Sequence, residues 1–292
     1  MQCPFLAETH VRNCHSTALA RPIPHTGRTA EAGICTTAAH RQCPLFDGEP
    51  GAPAAARCPH LVESPMLYCT AAPVVKFIPY SQTEVSRCGN GRHAYCEVYL
   101  SAACGGSRPS RRVEGVVVPE DLYFTANHMW LDQGEDDYWH IGVDGFLAGL
   151  LGQMDRVSYL TTTGKCRPAA MLSVQGVDLH LAFPHEVCLL EPHASLRATP
   201  ERVNSEPYGR GWLFEGQSPV PPGMRRGDTV MVWMRSEVGR MSRWVHAHIQ
   251  RLKPELRADG GLFAGDLLSR LTPGEILSLF HDFFLPRRAW ER

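Results

Sequence analysis

The pattern of apolar and polar positions divides the chain into a β-rich centre and a helical end. Between about residues 113 and 216, short runs rich in Val, Tyr, Phe and Trp alternate with Pro, Gly and charged turns, which predicts many short strands. Residues 145–151 (GFLAGLL) have helical spacing instead. The central pattern therefore predicts an all-β sandwich or barrel with one short helix.

Two amphipathic helices are predicted in the tail, which we delimit as residues 224–292. In the first, apolar side chains recur at steps of three and four residues. They are Val238, Met241, Trp244, Val245, Ile249 and Leu252. The second begins at Thr272, where Pro273 takes the first helical position and Glu275 completes a capping box. We expect both helices to pack on the β domain.

The first hundred residues contain a tandem repeat of four cysteines. Cys3 and Cys58 are 55 residues apart (58 − 3), and Cys35 and Cys88 are 53 apart (88 − 35). The first copy contains Cys3, Cys14, Cys35 and Cys43, and the second contains Cys58, Cys69, Cys88 and Cys96. We expect two units, at 1–47 and 58–104, of mainly irregular or helical structure. Cys104 is left over.

Three interpretations of the repeated cysteines remain open: disulfides, buried apolar thiols, and metal ligands. Four thiolates suit a tetrahedral zinc ion or a cubane iron–sulfur cluster, although a close C-x2-C pair is missing. His40 and His93, three residues before the last cysteine of each copy, are alternative ligands. Because a unit of about fifty residues buries little apolar surface, a metal would add stability. We favour metal at all eight cysteines, with zinc or a cluster unresolved.

Composition excludes several classes of partner. The chain has 292 residues, 29 of them basic and 30 acidic, and its net charge of −1 argues against nucleic acid and acidic membranes as partners. It has no apolar run of about 18 residues, the length that a membrane span requires. The first residues, MQCPFLAE, lack the pattern of a signal peptide. We therefore expect a cytoplasmic protein with reduced thiols.

Three stretches of the central region together resemble the glycine cleavage H-protein family. Residues 119–131 (PEDLYFTANHMWL) are similar to its opening motif, P-x-x-L-x-Y-T-x-x-H-x-W, and residues 141–152 to its G-I-T-x-x-A-x-x-x-L-G-D stretch. Residues 203–213 follow its order V-N-x-x-P-Y-G-x-G-W-L. The resemblance covers about a third of the chain and implies a flattened β-barrel of the lipoyl-domain type over residues 113–216.

The stretch from residue 203 to 214 is also a predicted turn in its own right. Pro207 fixes φ, and Gly209 and Gly211 allow positive φ, so that the backbone can reverse tightly. Trp212 and the two apolar residues after it are expected to enter a strand of the core.

The resemblance also implies a lipoyl-lysine at the tip of a hairpin, where the lipoate forms a swinging arm for an aminomethyl group. In this chain the hairpin, residues 173–184, reads SVQGVDLHLAFP and is two residues shorter than the family pattern. The lysine position falls on Asp178 or on Gly176, depending on which end is aligned. The lysine nearest to it, Lys165, is expected to be a surface residue. We therefore expect no lipoate.

We find no catalytic constellation, and neighbours such as Asp178 and His180 are interpreted as surface polar residues. The leading interpretation is a non-enzymatic H-protein-like binding or scaffold protein with protein partners and a metal-binding cysteine region. One alternative is an H-type aminomethyl carrier homologue that has lost lipoylation. Another is an iron–sulfur electron-transfer protein.

Overall fold

Sheets dominate the part of the chain that the computed structural model describes. The described residues are 1–16, 21–23, 33–46, 56–74, 76–78, 87–103, 108–248 and 267–285, so Cys104, Ile249 and Leu252 lie outside them. They belong to two compact units, an N-terminal unit of Met1–His93 and a C-terminal unit of Ala94–Arg292. No helix among the described residues is long and apolar enough to cross a membrane.

The N-terminal unit contains a four-stranded antiparallel sheet in the order β2-β1-β3-β4. Its strands are β1 (Leu6–Cys14), β2 (Arg21–Ile23), β3 (Leu61–Cys69) and β4 (Lys76–Ile78). The prediction of mainly irregular or helical structure is therefore wrong for this region. Short 3-10 turns do occur at Ile34–Thr36, Ala38–Gln42, Arg87–Gly89 and Gly91–Tyr95.

Long-range pairing explains the missed strands. β1 comes from the first copy of the repeat and pairs with β3 from the second, in a register that runs from Leu6 opposite Cys69 to Cys14 opposite Leu61. The pairing satisfies the backbone groups along one edge of each nine-residue strand. It also brings Arg12 to 2.6 Å from Glu63. A local pattern cannot reveal this pairing because the partner strand lies 55 residues away.

The strands of the C-terminal unit form three separate sheets. The strands are β5 (Ser110–Val113), β6 (Val116–Pro119), β7 (Tyr123–Phe124), β8 (Met129–Gln133), β9 (Tyr138–Val143), β10 (Arg156–Tyr159), β11 (Gly164–Cys166), β12 (Ala169–Val174), β13 (Val177–Ala182), β14 (Val187–Pro192) and β15 (Phe214–Gln217). The sheets have the orders β10-β12-β13, β11-β14-β15-β9-β8-β7 and β5-β6. The expected β-rich centre is confirmed.

The predicted closed barrel is not what the described strands form. The three-stranded and six-stranded sheets share no ladder of hydrogen bonds. They share a hydrophobic core instead, to which β13 contributes Val177, Leu179 and Leu181 while Asp178 and His180 point to solvent. Two sheets facing one core satisfy the alternating pattern of the strands as well as a barrel does, so the pattern alone did not distinguish them.

Five α-helices complete the described part of the C-terminal unit: α1 (Glu97–Ala102), α2 (Gly145–Leu151), α3 (Arg202–Ser205), α4 (Asp228–His248) and α5 (Pro273–Phe284). The short central helix, α2, is confirmed and is capped by Asp144. The helical tail is confirmed in α4 and α5, and the capping box of Thr272 and Glu275 is present.

The tail helices bury their apolar faces in the core that the sheets share. Helix α4 contributes Met234 and Met241, and α5 contributes Phe280 and Phe283. The guanidinium of Arg240 lies 3.8 Å from the ring centre of Phe283, a cation–π contact between the two helices. The tail is thus part of the folded unit, as expected from the apolar residues that recur along one face of its helices.

The turn at residues 203–214 needs glycine for a different reason from the one predicted. Neither Gly209 nor Gly211 has a positive φ. A Cβ on Gly211 would instead lie 2.2 Å from the carbonyl oxygen of Arg202 and 2.8 Å from that of Glu206. A Cβ on Gly209 would meet nothing closer than 3.9 Å. Close backbone approach therefore selects glycine at position 211.

We predict that Gly211→Ala destabilises the chain and that Gly209→Ala does not. Backbone must move to admit the new methyl group at position 211, which costs about 2–3 kcal/mol. The control at position 209 should stay within about 0.5 kcal/mol of the wild type. Urea unfolding of both variants measures the difference, and equal stabilities would contradict the role given to the close approach.

Candidate functional site

The tip of the β12–β13 hairpin is the place where a carrier arm would be attached. Val174 and Val177 pair at the end of the ladder, which leaves a turn of only two residues, Gln175 and Gly176. Both have positive φ, at 51° and 72°, as a type I′ hairpin turn requires. The Gly176 N–H donates to Asp155 Oδ2 over 3.1 Å. The shortened hairpin thus has a tight and locally bonded tip.

The residues at this tip do not fit a lipoyl group. An amide with lipoate needs a side-chain amine, and the two candidate positions are Gly176, in the turn, and Asp178, one residue into β13. Asp178 accepts a short hydrogen bond from Ser173 Oγ and lies 3.4 Å from Arg156. Its carboxylate is therefore engaged at the base of the tip.

Lys165 lies on a different sheet from the hairpin. It belongs to β11 at the edge of the six-stranded sheet, and its Nζ is 3.1 Å from Glu186 Oε2. Its side chain is 76% exposed, in agreement with the surface position expected from the sequence. Its amine therefore does not take the place of an amine at the hairpin tip, because it lies on another sheet.

A buried histidine–carboxylate pair joins two of the sequence motifs. His128, which precedes β8, has φ of 62°, and its Nδ1 is 2.8 Å from Asp144 Oδ2. The other oxygen of Asp144 accepts from the N–H groups of Phe146 and Leu147, 3.0 Å each, at the start of α2. One carboxylate thus caps the helix and holds the imidazole. Both residues lie within the family-like motifs at 119–131 and 141–152, but neither motif by itself indicates that they pair.

Helix α4 adds a second carboxylate to this pair. Glu237 Oε2 lies 3.5 Å from His128 Nε2, and Glu237 is also paired with Arg240. The imidazole stacks on Phe146 with ring centres 4.1 Å apart. Burial alone would lower the pKa of His128, but the charges of Asp144 and Glu237 outweigh it, so this pKa is raised.

Two further histidine–carboxylate contacts lie in the same unit. His140 Nε2 is 3.0 Å from Glu215 Oε2 between paired strands β9 and β15, and both side chains are buried. His193 Nε2 is 3.2 Å from Glu97 Oε1. Glu97 also binds Arg202 over 2.7 Å. Each of these imidazoles thus has a carboxylate partner, which is what a buried polar group requires.

A cleft with a volume of about 560 Å³ is lined in part by Tyr95, Arg108 and Asp121. Arg108 Nη1 donates to Asp121 over 2.7 Å, and its Nη2 donates to the hydroxyl of Tyr95 and, over a short distance, to Asp132. The guanidinium is therefore already paired with two carboxylates, which makes it a poor anchor for an anionic ligand.

The repeated cysteines lie at defined places in the fold. Cys3 and Cys58 are buried, and the other six are half-buried. None of the ten cysteines in the described ranges forms a disulfide. Across those same ranges, no three His, Cys, Asp or Glu side chains are positioned to hold a metal ion as they stand. The eight thiols therefore remain predicted ligands.

His40 and His93, the predicted alternative ligands, occupy equivalent turns. His40 Nδ1 is 2.7 Å from the carbonyl oxygen of Thr37, and His93 Nδ1 is 2.6 Å from that of Asn90. Both rings are buried. One ring nitrogen of each histidine thus binds the backbone of its own 3-10 turn, so each imidazole has at least a structural role.

If each metal ion took the four cysteines of one repeat copy, Cys3 and Cys14 would have to share an ion. Strand β1 separates Cys3 from Cys14: Leu6 N–H donates to Cys3 O over 3.1 Å at one end, and Cys14 ends the strand at the other. At about 3.3 Å per residue, nine residues extend about 26 Å. Two sulfur ligands of one zinc ion lie within about 4 Å of each other. Cys3 and Cys14 therefore cannot share a metal ion.

Comparison with known proteins finds glycine cleavage system H proteins among the relatives of this chain. No family model matches the chain. The chain is 30% identical over 105 residues to the glycine cleavage system H protein of Mycobacterium tuberculosis (strain ATCC 25618 / H37Rv), a match that covers 34% of this chain and 77% of the relative. The H protein of Mycobacterium avium (strain 104) gives the same identity and length, over 78% of the relative. Both relatives are matched over most of their own length.

Among solved structures, the crystal structure of a glycine cleavage system H protein from Mycobacterium marinum matches with a TM-score of 0.33 and 18% identity. That match covers 41% of this chain and 99% of the other chain.

We predict that Glu237→Gln lowers the pKa of His128 and destabilises the chain in a pH-dependent way. A raised folded pKa contributes stability that is complete below the unfolded value of 6.5 and is lost as the pH rises through the folded value. The variant should therefore cost about 1–3 kcal/mol at pH 6 and less at pH 9. NMR titration of His128 and urea unfolding at both pH values measure the effect.

The matched control is Glu206→Gln, because Glu206 pairs with Arg210, which does not titrate in this range. Its effect on stability should be the same at pH 6 and pH 9. A wild-type His128 pKa of 6.5 or lower would contradict the proposed charge balance.

Proposed function

Because the chain belongs to the glycine cleavage system H-protein family, we propose that it is a non-enzymatic, H-protein-like binding or scaffold protein that carries no lipoate. Its protein surface, rather than a swinging arm, would meet its partners. Its N-terminal thiols would bind a metal. The observation that supports the first part is the hairpin tip, where Gln175 and Gly176 stand in a two-residue turn.

The polar residues of the core are consistent with a protein that binds rather than catalyses. In the described part of the C-terminal unit, His128 and His140 are each paired with a carboxylate and buried in the core. A general base needs to reach a substrate, and these imidazoles are shielded by their own sheets and helices. The same pairs stabilise the positions of β8, β9 and α2, which preserves the shape of the module.

Binding of metal by the cysteines is the second part of the proposal. The eight repeated cysteines would supply eight thiolates, enough for two tetrahedral centres. The sheet of the N-terminal unit buries few large side chains, among them Leu61, Leu67 and Ile78. A small unit with so little core gains stability from a metal centre.

We predict that the wild-type chain gains no lipoyl mass when it is expressed with lipoate and a lipoate ligase. Intact-protein mass spectrometry measures this directly, and the glycine cleavage H protein of Mycobacterium tuberculosis, expressed in the same cells, is the positive control. A lipoyl adduct on any lysine of the wild-type chain, Lys165 included, would overturn the proposal.

A matched pair of variants separates the absence of an amine from other causes. Gln175→Lys places an amine in the turn at a position that already has a positive φ, and we expect a lipoyl adduct on that lysine. Lys165→Arg removes the lysine of β11, so it should leave the wild-type chain unmodified and should leave the adduct on the Gln175→Lys chain in place. If Gln175→Lys stays unmodified, the tight two-residue turn prevents lipoylation in addition to the missing amine.

A further inference from the structure

The cysteines that the repeat separates in sequence come together at the two ends of the N-terminal sheet. Cys14 ends β1 and is paired in register with Leu61 at the start of β3. The N–H of Leu61 donates to the carbonyl oxygen of Cys58 over 3.1 Å. Cys58, from the second copy, is therefore one turn away from Cys14, from the first.

Two more thiols of the first copy lie at this same end. The Cys58 N–H donates to the Cys35 carbonyl oxygen over 2.8 Å, which ties the second copy to the first 3-10 turn. Cys43 ends the next turn, Ala38–Gln42. The Phe46 N–H donates to the Cys43 carbonyl oxygen over 3.0 Å, and the Phe46 ring centre lies 6.2 Å from that of His60, two residues after Cys58. These contacts bring all four cysteines to one end of the sheet.

The opposite end of the sheet repeats these contacts with the counterparts of the same residues. Cys69 is paired in register with Leu6, and the Leu6 N–H donates to Cys3 O. The Cys3 N–H donates to Cys88 O over 2.9 Å, just as Cys58 donates to Cys35. The antiparallel pairing of β1 and β3 therefore relates the two ends by an approximate twofold axis.

We propose that Cys14, Cys35, Cys43 and Cys58 form one tetrathiolate metal centre, in which the second copy of the repeat supplies a ligand to the first. Cys3, Cys69 and Cys88 belong to the counterpart centre at the other end of the sheet. This assignment rests on the metal-binding part of the proposed function and replaces the grouping by copy. The four thiolates would bind a thiophilic metal centre, either a zinc ion or an iron–sulfur cluster.

Formation of the centre requires the cysteine side chains to rotate toward one another. As they stand, the thiols are not at ligand spacing, but rotation of χ1 moves a cysteine Sγ by about 3 Å between staggered positions. Each thiol releases its proton to solvent as the metal binds. Four neighbouring thiolates repel one another. A metal cation between them compensates their negative charges.

Metal content of two double variants distinguishes the two groupings. The full chain is purified from medium supplemented with zinc and iron, and both metals are measured by mass spectrometry with visible absorption. Cys14→Ser with Cys58→Ser removes two ligands of one proposed centre, so we expect about half of the wild-type metal. Cys3→Ser with Cys14→Ser damages both proposed centres, so we expect almost none.

Grouping by copy predicts the reverse order, and that result would overturn the inference. A wild-type chain without zinc or iron would instead overturn the metal-binding part of the proposed function. Cys188→Ser, an exposed thiol on β14, is the matched control and should keep the full metal content. Zinc without visible absorption identifies a zinc centre, and iron with a brown colour identifies a cluster; either result supports the tetrathiolate.

Differential alkylation of a single variant keeps the test valid if a double variant fails to fold. In zinc-loaded or iron-loaded Cys14→Ser that retains its far-UV spectrum, we expect iodoacetamide to modify Cys35, Cys43 and Cys58. Cys3, Cys69 and Cys88 should stay protected. Modification of Cys3 with protection of Cys58 would contradict the inference.

Discussion

The turn at residues 203–214 is the constraint on which the C-terminal unit depends, because its Tyr208 hydroxyl and Pro207 carbonyl bond to residues from other motifs. The hydroxyl of Tyr208 accepts from Gly145 N–H over 2.6 Å and donates to the carbonyl oxygen of Val117 over 2.9 Å. The indole N–H of Trp130 donates to Pro207 O over 3.0 Å. Each bond joins elements far apart in sequence, and an unsatisfied buried partner would cost about 1–3 kcal/mol. These hydrogen bonds of the folded chain therefore require particular residues at particular positions of the turn.

The hairpin tip is free of this constraint. Gln175 and Gly176 close a turn whose geometry depends on local φ values, and a Cβ on Gly176 would meet no atom within 4 Å. An amine there would contribute nothing to the core, so its loss leaves the fold intact. Family membership, which rests on residues such as those of the 203–214 turn, is thus separable from the carrier chemistry, which rests on one exposed position.

The sequence predicted the features whose causes are local. Helix α2 and the capping box of Thr272 follow from residues within one or two turns of each other. The N-terminal sheet was missed because β1 finds its partner in the second copy of the repeat. The role of Gly211 was misassigned because positive φ and close backbone approach both select glycine. The cluster of His128 was overlooked because Glu237 reaches it from a helix more than a hundred residues later.

The length of strand β1 determines which of the repeated cysteines can lie close together. Had each copy folded alone around a metal, Cys3 and Cys14 would have needed to approach within a few Å, and the segment between them would have had to fold back. Instead Leu6–Cys14 is one extended strand, so its two flanking cysteines lie at opposite ends of the sheet. Antiparallel pairing then places the start of one copy beside the end of the other's strand, as Cys58 lies near Cys14. The strand pairing therefore places cysteines of both copies at each end of the sheet.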